Sequence, residues 1–227
     1  MDAAAAAHLL LLALAWTASL LVRPWRLLRP HHGQVPLATP LLASLAVLPW
    51  LWAWPGLGAL PVALHWSGAP LVVMLLGWPL AVPVITFAGL STLFTVGAAP
   101  EAALSLIVWS GLLPATLVLG LGHLVRHAFG PNPVAYVMGR GFFVPMLALL
   151  ACSLASALMD HGFAGPQGDL QRIALSLMAL GEASWSCAIV SLLVACRPQW
   201  LATWSDAMAL GHRAPVRVPA RQSRPRR

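Results

Sequence analysis

An all-α, polytopic membrane protein is the fold class this sequence predicts, and three observations predict it. Hydrophobic residues make up 59% of the 227-residue chain and charged residues only 8%, against about a quarter charged in an ordinary soluble domain. So few charges cannot cover a globule in water, whereas a lipid-facing surface needs none. The apolar residues also run continuously over lengths near the roughly twenty residues a membrane-crossing helix requires, unlike the short alternating segments of a β-barrel. Finally, arginine gathers in alternate connections between these runs, as expected of loops on one side of a membrane.

About seven transmembrane helices follow in order. Residues 3–22 form the first, ended by RPWRLLRPHHG with Arg23, Arg26 and Arg29. This run lacks the basic start of a signal peptide and is expected to be a retained helix. Residues 37–54 form the second, closing on WLWAWPG, a tryptophan-rich interfacial belt and a Pro-Gly turn. Residues 62–97 are too long for one crossing, and Gly77-Trp78-Pro79 lies near their middle. Proline has no N–H to donate and disfavours the helical region in the residue before it. The run is therefore cut into spans at about 62–77 and 79–97. Residues 102–122, 135–158 and 172–196 supply the fifth to seventh. Prolines inside spans (Pro83, Pro114, Pro145) imply kinks whose freed backbone groups are satisfied by neighbouring helices. Glycines such as Gly89, Gly111, Gly122 and Gly141 allow helices to approach closely.

Charge orients the bundle. All thirteen basic residues are arginine. With seven spans, nearly all of them fall on the side of the first connection, of the HLVRHAFGPNP loop and of the segment from Arg197 onward. The opposite side holds Asp2, Glu101, Asp160 and Asp169, with Arg172 as its one cation. The positive-inside rule then puts the N-terminus outside and the C-terminus in the cytoplasm, the expected location being a bacterial inner membrane. Residues 1–210 make the seven-helix domain, and 211–227, GHRAPVRVPARQSRPRR, a disordered Arg/Pro-rich cytoplasmic tail. The tail suits anionic lipid of the bilayer; no nucleic acid is expected as a partner. Cys152, Cys187 and Cys196 stand apart without metal-type spacing and are expected to be small hydrophobes.

An ionisable group inside a bilayer is expensive and draws attention for that reason. Candidates are His8, His65, Arg140 and Glu182. His65 heads the third span in LHWSGAPLVVMLLGWPLA; it is either an imidazole bonded at the interface or a metal ligand. Glu182, in LMALGEASWSC, lies near the middle of the last span. It is expected to be a polar anchor, a partner for Arg140, or a group on an ion pathway. Arg140, in VMGRGFF, is expected to snorkel to the cytoplasmic face. His123 and His127 have zinc-compatible spacing but no accompanying Glu, and are expected to be solvated. The chain carries no GxxxxGK[ST], GxSxG or CxxC motif, nor paired intramembrane acids, so an enzyme is not expected.

Three blocks, LHWSGAPLVVMLLGWPLA, PNPVAYVMGRGFF and GEASWSCAIVSLLVACRPQWLATWSD, resemble the energy-coupling-factor ABC-transporter permease family, in its CbiM-like branch of cobalt/nickel substrate-binding membrane subunits. The resemblance covers roughly residues 1–210 and implies a seven-helix bundle with an external N-terminus. In cobalt and nickel members the chain begins Met-His-Ile-Pro-Asp, and its amino group, next amide and second imidazole join a later histidine in a nearly planar nitrogen site. His65 matches that later histidine. This chain begins Met1-Asp2-Ala3-Ala4 instead, so the implied set is the Met1 amine, an Asp2 oxygen and His65, holding a transition-metal ion (Ni, Co or Cu). The implied function is capture and uptake of that ion, with separate ATPase and scaffold transmembrane subunits as partners. The alternative is a non-transporting membrane assembly factor or chaperone that kept the fold.

Overall fold

The computed structural model describes residues 3–28, 37–54, 64–130, 132–160 and 165–204. Among these residues the fold is all-helical and contains no strand. The helices are α1 (Ala3–Val22), α2 (Ala38–Trp52), α3 (Ala69–Leu76), α4 (Trp78–Thr95), α5 (Pro100–Phe129), α6 (Ala135–Met159) and α7 (Gly165–Cys196). Five of them, α1 and α4 to α7, are long and apolar enough to cross a membrane. The chain is therefore read as a membrane protein. Consistent with a lipid-facing surface, large apolar side chains such as Leu10, Leu14 and Leu21 on α1 and Phe94 on α4 stand exposed.

The third expected span is where observation departs most from expectation. Helix begins only at Ala69, so α3 has eight residues and rises about 12 Å at 1.5 Å per residue. Residues 64–68 are non-helical. The cause is local: Gly68 adopts φ +66°, a left-handed conformation that a Cβ disfavours, and Pro70 occupies the first turn of the helix that follows. The cut at Gly77 is found where expected. Gly77 has φ +77° and ψ 157° and separates α3 from α4. Two further helices run past their expected ends: α5 continues through His123–Phe129, and α7 starts at Gly165. Asp169 thus lies on the first turns of α7, paired with Arg172, rather than in the loop before the expected span.

Prolines inside the helices are handled as lipid demands. In an unbroken helix the Ser110 carbonyl would receive the N–H of residue 114, but that residue is Pro114. The backbone widens into a π-helical stretch over Ile107–Leu112, and the Ser110 carbonyl accepts the Ser67 hydroxyl instead. Pro83 likewise leaves the Pro79 carbonyl without its helical donor, and the Ser19 hydroxyl of α1 donates to it at 2.7 Å. A second π-helical stretch, Ala135–Phe143, precedes Pro145.

The main core lies between α2, α3, α4 and α5, with Val73, Leu76, Ile85 and Ile107 essentially inaccessible. Glycines set its tightness: a methyl at Gly89 would overlap Ile107, and one at Gly111 would overlap Ile85. A smaller cluster of Met74, Tyr136, Val190 and Leu201 closes one end of the bundle. At that end Ser19 meets Pro79, Thr203 meets Met74 and Tyr136, and Gly122 faces Arg140. Arg126 and Arg197 lie near it in sequence and space, as the last turn of α5 and the exit of α7. Glu101 and Asp169 start α5 and α7 at the other end. The bundle thus has an arginine end and an acidic end.

Candidate functional site

Ser67 is the point on which three helices converge. Its carbonyl accepts the Trp52 indole N–H at 2.9 Å, from the end of α2. Its hydroxyl donates to the Ser110 carbonyl in the π-helical stretch of α5 and accepts the Ala69 N–H at 3.2 Å. Its own N–H goes to Glu182 of α7, whose Oε2 accepts it at 2.9 Å, while Oε1 accepts the Gly68 N–H at 2.6 Å. Non-helical backbone deep in a membrane bundle must be satisfied by protein, and here each of these donors and acceptors has a partner from another helix or from the start of α3. Glu182 is only 3% exposed, so both bonds are made away from bulk water.

Beside this anchor lies a cavity of about 380 Å³. Its walls come from α4 and the start of α5 (Thr92, Ser105, Trp109), from α6 (Cys152, Ser153) and from α7 (Gln171, Glu182), with His65 and Ser67 on the inserted segment. It reaches Val96, Ala98 and Ala102 at the acidic end of the bundle. No arginine among the described residues lines it. The π-helical widening of α5 turns Trp109 and Ser110 into the site, a known use of such irregularities.

The expected site residues distribute as follows. His65 is exposed and lines the cavity. Met1 and Asp2 lie outside the described residues, as do His31, His32, His161 and the 211–227 tail. Glu182 is the polar anchor, serving the backbone of Ser67 and Gly68 and not Arg140. Arg140 does not snorkel to the surface: it is 9% exposed. Its guanidinium stacks 5.6 Å from the Tyr136 ring centroid and fills the space left by Gly122, where a methyl would come within 2.8 Å of Nε. His123 and His127 are exposed, as expected, with His123 Nδ1 2.8 Å from the Leu119 carbonyl. Cys152, Cys187 and Cys196 are free thiols. Among the described residues, no three His, Cys, Asp or Glu side chains converge closely enough to enclose a metal ion. Trp52 and Ser110 are contributors that sequence reasoning did not single out. Pro114, four residues beyond Ser110, is the signal that an unpaired carbonyl sits there.

No family model matches the chain, and neither does a curated protein or a solved structure.

Proposed function

We propose that this chain is the membrane-embedded capturing subunit of an uptake system for a transition-metal ion of the cobalt, nickel and copper class. Seven passes cross a bacterial inner membrane, the third being the inserted segment plus α3. The arginine end faces the cytoplasm and the N-terminus faces outward. The ion enters the cavity from the outer side, His65 at the mouth is its principal protein ligand, and rocking of the bundle exposes it inside. The chain has no nucleotide-binding motif, so ATP is used by separate ATPase and scaffold transmembrane subunits. The resemblance of three sequence blocks to the CbiM-like permeases supports the class. The observation that carries the site is an exposed imidazole on a non-helical segment lining a cavity that no described arginine enters, because a neutral imidazole suits these ions.

Calorimetric titration of the purified protein with Ni(II), Co(II) and Cu(II) tests it. Saturable binding of at least one ion, weakened tenfold or more in His65→Ala, is expected; indistinguishable titrations of the two proteins overturn the assignment. A second reading is a membrane assembly factor that kept the fold without transport. Affinity purification separates them: co-purified ATPase and scaffold subunits support uptake, a metalloenzyme subunit supports assembly.

A further inference from the structure

We propose that the cavity takes its ion with the hydration shell largely retained, held by hydrogen bonds from the bound water to Glu182 and to the hydroxyl oxygens of the wall. The inference rests on the uptake reading and concerns the form in which the ion is accepted.

Size points first to a hydrated ion. With about 30 Å³ per water, a six-water shell occupies about 180 Å³. The cavity offers about 380 Å³, roomy for such a complex and far too large to grip a bare ion. Donor geometry agrees. His65, Cys152 and Glu182 all line the cavity, yet they do not converge as a ligand set. His65 can displace one water, but no set of three such groups forms around it among the described residues.

The wall chemistry gives the polarity. A hydroxyl has one proton and two lone pairs. The Ser67 proton goes to the Ser110 carbonyl, that of Thr92 to the Gly89 carbonyl at 2.7 Å and that of Ser153 to the Leu149 carbonyl at 2.7 Å. These oxygens turn only lone pairs toward the cavity. Glu182 uses one lone pair on each oxygen for the Ser67 and Gly68 N–H groups and keeps the others. Among the described residues the Ser105 and Ser110 hydroxyls have no hydrogen-bond partner and can present either face. His65, Gln171 and the Trp109 indole are other described lining side chains that carry N–H groups. An acceptor-rich wall with one buried carboxylate and, among the described residues, no arginine fits a cation surrounded by outward-pointing O–H groups.

Hexaamminecobalt(III) tests this. It does not exchange its ammines, so no side chain can coordinate it, and its N–H groups copy the donor shell of a hydrated ion. Its binding to the purified full-length protein in neutral detergent is measured beside that of Ni(II). Saturable binding is expected, weakened at least tenfold by Glu182→Gln and by Ser105→Phe, which fills the cavity without touching the Ser67 anchor, and changed less than threefold by His65→Ala. Thermal melts identify any variant that fails to fold, and the Ser105 variant stands if the Glu182 variant does not. Nickel binding that depends on His65, with no hexaammine binding, overturns this inference and leaves the uptake reading in place. Binding of neither ion overturns both. Hexaammine binding equal in all variants marks surface adsorption and also overturns the inference.

Discussion

Replacing Glu182 removes the one side chain that serves two consecutive backbone N–H groups of the inserted segment. Both bonds are short, 2.9 Å to Ser67 and 2.6 Å to Gly68, and Ser67 is 3% exposed. A hydrogen bond to a charged group contributes about 1.5–3 kcal/mol net, so the pair contributes about 3–6 kcal/mol. Alanine also relieves the burial of a carboxylate, which offsets part of this loss, taken as about 1 kcal/mol. Glu182→Ala is therefore expected to destabilise by about 2–5 kcal/mol. At about 2–4 °C per kcal/mol for a chain of this size, Tm falls by about 4–20 °C. Glu182→Gln keeps one carbonyl oxygen but sets an amide N–H against the other donor, so about half the loss is expected. The readout is intrinsic fluorescence during thermal unfolding in detergent, for which the chain's eleven tryptophans serve as reporters. A glutamine variant as stable as the native protein, or an alanine variant no worse than glutamine, would refute the assignment of the carboxylate to these two donors.

Three further outcomes are expected. Gly89→Ala places a methyl into Ile107 and should cost about 1–3 kcal/mol; Ile107→Ala in the same chain should recover part of that loss, and additive melting shifts would count against the contact. Because the Thr203 proton goes to the Met74 carbonyl at 3.0 Å, Tyr136 donates its hydroxyl to Thr203 at 2.6 Å. Tyr136→Phe should then cost about 1 kcal/mol, and a double-mutant cycle with Thr203→Val should show non-additivity; a coupling of zero removes the latch. In a background without the three native cysteines, Ala98→Cys is expected to react with an impermeant maleimide on intact cells and His127→Cys only after permeabilisation, the reverse pattern refuting the proposed orientation.

Most helices were legible because the apolar runs are long and proline and glycine punctuate them. The break at Gly77-Trp78-Pro79 is the clearest case, since the residue types alone forbid a smooth helix there. Residues 64–68 misled for a related reason: hydropathy counts LHW as membrane material whether or not it is helical, and the left-handed Gly68 with Pro70 behind it marks the start of α3. Arg140 misled differently. Its depth in the run suggested an escape to the surface, but the residue that houses it is Gly122, on another helix, and no local pattern pairs the two. Glu182 was legible as an unusual group, whereas its partners are backbone N–H groups 115 and 114 positions away, which carry no side-chain signature at all.

The helix α3 shows why these long-range contacts matter more than propensity. Eight residues are too few for a helix to hold itself together, since isolated helices below about 12–15 residues are marginal even with favourable composition. Both of its ends are instead tied to other helices by polar groups. At the cavity end Glu182 takes the Gly68 N–H, and at the arginine end Thr203 donates to the Met74 carbonyl while accepting from Tyr136. Between the ties the helix packs its side chains into the core, with Val73, Met74 and Leu76 at most 1% exposed. In a bundle surrounded by lipid, apolar packing costs little to rearrange because lipid tails replace helix contacts on nearly equal terms. A severed buried hydrogen bond has no such substitute. The polar ties, more than the apolar core, therefore fix where this helix sits, and with it the segment that carries His65 to the mouth of the cavity.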